Sequence, residues 1–243
     1  MNIKPDDYYY AVMRSAMRLP GVRVKREDFL REALKRQVKP QQLETAVEST
    51  PAEAGIPLKT INKIAKKAIW TETRRVTAIS ATAGAPGGFA IAGTLPADLV
   101  QYFGHVIRLQ QKLIYLYGWE EIATDDGEFN EESLEQLTLF LGVMFGVKSA
   151  EEAVSQLISD RDSEAERPQL PTAVLYPVIA KVATTLGYKM SKHIFARGLS
   201  KAVPIMGAFT SGGVTYTAFK PLSKRLQTFL KALPIADPKS VRK

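Results

Sequence analysis

Six polar side chains, Asp98, Gln101, His105, Arg108, Lys112 and Tyr115, follow one another at steps of three, four, three, four and three. At the pitch of an α-helix this spacing sets them along one seam. Leu99, Val100, Phe103, Val106, Ile107, Leu113, Ile114 and Leu116 cover most of the remaining surface, so the helix is expected to be buried with a polar stripe. A carboxylate, an imidazole and a guanidinium on one seam are parts of a general acid–base site, and Asp98, His105 and Arg108 are the candidate catalytic residues. His105 is the better of the two histidines for the base, although Asp98, two turns away, is not expected to touch it. The same groups also read as structural. Buried polar atoms need partners, and Asp98 and Arg108 would then fasten a bundle.

Other chemistry has little support. His193 stands in a basic Lys192-His193-Ile194 setting, no serine occupies a G-x-S-x-G elbow, and the chain has no cysteine. Disulfides and thiolate metal sites are excluded, and two histidines alone make a zinc site unexpected. Asp125, Asp126, Glu128, Glu131 and Glu132 have the right chemistry for calcium or magnesium but lack the alternating spacing of an EF-hand loop, so they read as helix-start chemistry. No Walker loop, dinucleotide fingerprint or aromatic-rich basic motif is present; no cofactor is expected and sequence-specific nucleic-acid binding is disfavoured.

The elements around the seam are unusual in composition. Residues 76–97 hold no charge and carry Gly84, Gly87, Gly88 and Gly93 with Pro86 and Pro96. The run is as long as a membrane span, yet it is only weakly apolar and its prolines would break a single helix. Two short helices joined by Ala85-Pro86-Gly87-Gly88 fit better. A second uncharged run, Ala202 to Phe219, has Gly207, Gly212 and Gly213 and is bracketed by Lys201 and Lys220. The expected class is therefore all-α, a multi-helix bundle with two Gly-rich apolar helical hairpins, in which Gly84, Gly87, Gly88, Gly212 and Gly213 permit close backbone approach.

Apolar spacing predicts further helices from Tyr9 to Met17, ending at Pro20-Gly21, and from Arg26 to Arg36. Pro40, Pro51, Pro57 and Gly55 make a loop around one short helical segment, which divides an N-terminal helical arm (1–58) from a main domain (59–235) and a basic tail (236–243). Lys59 to Trp70 is a basic amphipathic helix, with Ile61, Ile64, Ala65, Ala68 and Ile69 on one face. Asn130 is expected to cap a helix, Ser149 and Glu152 to open another, and Gly142-x-x-x-Gly146 to mark a close helix contact. Gly127, in the Thr124-Asp125-Asp126-Gly127 turn, is expected to be exposed and tolerant of a side chain.

Charge is segregated along the chain. Residues 1–75 carry 16 basic and 9 acidic side chains, residues 120–166 carry 2 and 14, and residues 189–243 carry 11 and 1. Basic ends can meet anionic headgroups or neutralise an acidic middle within the fold. The polar start, Met1 to Asp7, is followed by no long apolar core, so no signal peptide is expected.

Gly84-Ala85-Pro86-Gly87-Gly88 leading to Leu95-Pro96-Ala97-Asp98-Leu99, then Arg108 and Tyr115-Leu116-Tyr117-Gly118-Trp119, together resemble the EcsC family of bacterial proteins. Val203-Pro204-Ile205-Met206-Gly207-Ala208 and Gly212-Gly213-Val214-Thr215-Tyr216 are similar to that family's closing motif. The family takes its name from an accessory protein found with an ABC transporter. The likeness spans residues 59–235 and implies a helical, membrane-associated cytoplasmic protein, with no catalytic residue to carry over.

The expectation is a non-enzymatic accessory protein at the inner face of the cell membrane, binding anionic lipid or a membrane-protein partner. Its surface would use Lys63, Lys66, Lys67, Trp70, Phe89, Ile91, Ile205, Met206 and Phe209. The alternative is a hydrolase or lipid-modifying enzyme built on Asp98, His105 and Arg108. Nucleic-acid binding through the basic ends rests on charge alone.

Overall fold

Between Leu58 and Thr82 the chain has neither proline nor glycine, and nothing stops a helix once it has started. The computed structural model describes residues 5–82, 97–124, 126–159, 175–180 and 212–241. Among them every regular element is helical: α1 (Pro5–Met17), α2 (Arg26–Leu34), α3 (Pro40–Glu48), α4 (Leu58–Thr82), α5 (Ala97–Leu116), α6 (Glu131–Phe145), α7 (Lys148–Ser159) and α8 (Gly212–Leu230). Residues 175–180 are also helical, and Pro234–Ala236 form a 3-10 turn. The all-α bundle expected from the sequence is what forms.

α5 is the central helix and touches α1, α2, α4, α6 and α8. It is buried on almost every side because its apolar residues leave only a narrow polar stripe. α4 runs antiparallel beside it: Asn62 meets Tyr117 while Glu72 meets His105. α8 lies along α4 and α6. Tyr9, Val12, Met13 and Ala16 of α1, and Leu30 and Leu34 of α2, join the core formed by α4, α5 and α6, so residues 1–58 share one hydrophobic cluster with the segment after them.

Two sequence boundaries move. The basic amphipathic helix does not end near Trp70 but continues through Val76 to Thr82, absorbing the start of the uncharged run. Likewise Gly212 and Gly213 lie at the start of a helix that passes Lys220 and Pro221 without interruption, instead of at a turn inside a hairpin. Gly84, Gly87, Gly88, Phe89 and Ile91 of the first proposed hairpin, and Ile205, Met206 and Phe209 of the second, lie outside the described residues, as do Asp125 and His193.

Helix ends follow ordinary capping chemistry. Asn130 accepts from Ser133 N at 2.8 Å at the start of α6, and Gly146, at φ 71°, closes that helix. Gly118, at φ 95°, follows α5. Arg26 caps the open carbonyl end of α3, donating to Val47 O at 2.6 Å and to Ser49 O, and it reaches Trp119 O at 3.0 Å. One guanidinium thus ties α2, α3 and the segment after α5.

The Gly142-x-x-x-Gly146 motif has two distinct roles. A Cβ on Gly142 would stand 2.6 Å from Ala150 Cβ and 2.8 Å from Val178 Cγ1, so this is the close contact, whereas Gly146 serves the helix end. Gly127 overturns its expectation: it is buried, at φ 86°, with the Arg23 guanidinium where a Cβ would go. Arg23 holds Glu121 at 3.1 Å, so a side chain at Gly127 both strains the backbone and displaces an ion pair.

Gly127→Ala is therefore expected to destabilise the fold by about 1–2 kcal/mol. Gly142→Val is expected to cost about 1–3 kcal/mol through overpacking. Urea midpoints of the two variants check both, and a wild-type midpoint for either would contradict the packing described.

Candidate functional site

α4 continues its inward face from Ile61, Ala65 and Ile69 to Glu72 and Val76, which places a carboxylate where the helical period demands an apolar group. Glu72 is completely buried. It survives there because α5 and α4 supply partners for both oxygens. Oε2 receives His105 Nδ1 at 3.1 Å; Oε1 receives Arg75 Nη1 at 3.0 Å and the Lys112 ammonium, with Arg108 Nε at 3.7 Å. Arg108 also donates through Nη1 to Gly21 O, joining the cluster to the loop after α1.

Electrostatics follow from this crowding. Burial by itself would raise the Glu72 carboxyl, but the His105 hydrogen bond and the Lys112 and Arg108 charges overcome it and hold the group down at about 2. Lys112 is shifted down from its ordinary value, chiefly by burial and further by the Arg108 and Arg75 charges, while Glu72 acts against the shift. Three cations face one carboxylate, and the surplus is costly: two like charges about 4 Å apart repel by about 4 kcal/mol at an effective dielectric of 20.

The ionised carboxylate can only accept, so His105 Nδ1 must carry the hydrogen it shares with Glu72. This fixes the ring and leaves Nε2 as its remaining nitrogen. A carboxylate-oriented imidazole flanked by cations can take a proton from a bound group or steady an anion, depending on what reaches it.

Of the sequence-derived seam, the fold brings His105, Arg108 and Lys112 together and places Gln101 and Tyr115 elsewhere. Gln101 is exposed. Tyr115 is buried and its hydroxyl accepts from Ile122 N at 3.4 Å, away from Glu72. Asp98 sits in the first turn of α5, and its side chain lies outside the described residues.

Two glutamines were not anticipated. Gln111 accepts from Val24 N at 2.9 Å and donates to Val22 O at 2.9 Å, pairing the extended segment after α1 as a neighbouring strand would. Gln110 donates to Leu137 O at 3.4 Å. Glu72 is likewise absent from the sequence-derived seam, although its place on the apolar face of α4 is a readable signal.

The surface residues form a separate feature. Lys59, Lys63, Lys66, Lys67 and Arg74 are exposed along α4. Trp70 lies among them with 55% of its surface exposed, and the Arg74 guanidinium covers its ring at 4.7 Å. No cluster of metal-ligating side chains occurs among the described residues. No protein-family model, curated protein or solved structure matches the chain.

Glu72→Gln leaves three cations without their counter-charge and is expected to cost about 2 kcal/mol or more in unfolding free energy at pH 7. The sign of the pH effect follows from the depressed carboxyl. Glu72 stabilises the fold fully above its ordinary value of 4.5, and that stabilisation is lost as pH falls towards about 2. The difference between wild type and Glu72→Gln in urea midpoint is thus expected to shrink between pH 5 and pH 2. A constant difference would show that the carboxylate charge is not what holds the cluster.

Proposed function

We propose that this chain is a peripheral, membrane-associated accessory protein, acting without catalysis at the cytoplasmic face of the cell membrane, as the resemblance of its Gly-rich motifs to the EcsC family implies. One observation carries the reading: the exposed face of α4. The helix has six basic residues and a single acidic one, and the acidic one, Glu72, is turned inside. No ion pair among the described residues holds Lys59, Lys63, Lys66 or Arg74.

A helix face of uniform positive charge with an exposed indole has the chemistry of an anionic membrane surface. Lysines meet headgroups and the indole sits at the boundary between headgroups and acyl chains. Arg74 over the Trp70 ring keeps the indole beside a cation that also favours phosphate. No described helix is long and apolar enough to cross a bilayer, so association by a face fits better than a span for these elements.

A second reading, a hydrolase or lipid-modifying enzyme, draws support from one contact. Glu72 orients His105 in the manner of a general base, with Arg108 and Lys112 nearby to offset developing negative charge. Its test is whether His105→Gln abolishes turnover of a phospholipid by the purified chain while the fold stays intact.

For the leading reading, wild-type protein is expected to float with vesicles containing anionic lipid and to leave neutral ones. Replacing Lys63, Lys66 and Lys67 by glutamate should remove about 1 kcal/mol or more per residue at low salt. Trp70→Ala should instead weaken the part of binding that survives high salt. Protein that stays wholly in solution with anionic vesicles at low and high salt would overturn the proposal for the chain by itself.

A further inference from the structure

Arg75, Arg108 and Lys112 all direct nitrogens within 3.7 Å of one oxygen of Glu72, and no other carboxylate pairs with any of them among the described residues. One negative charge answers three positive ones. Lys112 and Arg108 help to hold the buried carboxylate ionised, but the three cations also repel one another, and a single carboxylate cannot neutralise them all.

Two features of the cluster bear on whether it can meet a further anion. Arg108 Nε is buried and has no hydrogen-bond partner among the described residues. Arg75 gives only Nη1 to Glu72, and its side chain is 50% exposed, so the positive edge of the cluster opens to solvent on that side. Lys112 and His105 close the opposite, buried side at 13% and 11% exposure.

We propose that Arg75, Arg108 and Lys112 form an oxyanion site for a phosphomonoester. Guanidinium forks match phosphoryl oxygens in geometry, and the ammonium adds a point charge behind them. The surplus of two positive charges matches the charge of roughly −1.5 to −2 that a phosphomonoester carries at neutral pH. A carboxylate ligand would leave part of the surplus unanswered. The site is separable from the outward lysines of α4: apart from the half-exposed Arg75 it lies where α4 meets α5, and a soluble phosphate ester can fill it without a membrane.

The test uses the full chain and glycerol phosphate as the probe, with chloride at equal ionic strength as the control. Glycerol phosphate is expected to raise the melting temperature saturably, and Arg75→Gln, at a half-exposed position, should weaken it about tenfold. Arg75→Lys should recover part of the loss, and Lys63→Gln should bind as wild type does. A shift no larger than chloride gives, or equal binding by wild type and Arg75→Gln, overturns the proposal.

Vesicles then distinguish the two sources of the ligand. Preference for phosphatidic acid over phosphatidylglycerol at matched charge, lost in Arg75→Gln, assigns the site to a lipid headgroup. Glycerol phosphate binding without that preference assigns it to a soluble phosphomonoester. Failure of all vesicle binding removes the membrane reading and leaves the soluble arm of this test intact.

Discussion

A single carboxylate buried between two helices sets the terms for the rest of this structure. Glu72 cannot be left without partners in a dry interior, because an uncompensated buried charge would cost more than most of the surrounding contacts contribute. Its partners fix the rotation of α5 about its own axis: His105 and Lys112 must face α4, and the apolar residues between them then face α1, α6 and α8. Arg108 extends the constraint to Gly21, so the loop leaving α1 is tied to the same point.

A second polar anchor lies at the other end of the pair. Tyr117 donates to Asn62 at 2.7 Å and accepts from Gln227 at 3.2 Å, joining α4, α8 and the residues that follow α5. Apolar packing makes these helices adhere, but it is nearly indifferent to small slides and rotations. Directional bonds at both ends of the α4–α5 pair remove that freedom, which gives buried polar groups a role in uniqueness beyond any net contribution to stability.

The polar seam was legible because helical spacing is a strong signal, and steps of three and four residues brought His105, Arg108 and Lys112 onto one face. The same rule failed for Tyr115, whose long side chain reaches past the seam to Ile122 N, and gave no warning of Gln110 and Gln111, which lie off the stripe and bond to backbone from other elements. Glu72 was readable in principle. Continuing the apolar row of α4 by another turn lands on it, whereas a basic surface helix ending near Trp70 stops short of it. Gly127 was misread because its burial depends on Arg23, a residue about a hundred positions earlier that local turn chemistry cannot reveal.

The two faces of α4 explain each other. A basic amphipathic helix normally scatters acids among its lysines, since Glu–Lys pairs at helical spacing add a few tenths of a kcal/mol each. Here the helix's one acid points inward, where it neutralises charge from α5, and the outer face is left uniformly positive. Arg75 stands on the border of both environments, bonded to Glu72 on one side and open to water on the other. The charge that orders the interior is thus withheld from the surface, so the arrangement that positions α5 also leaves the outer face of α4 suited to anions.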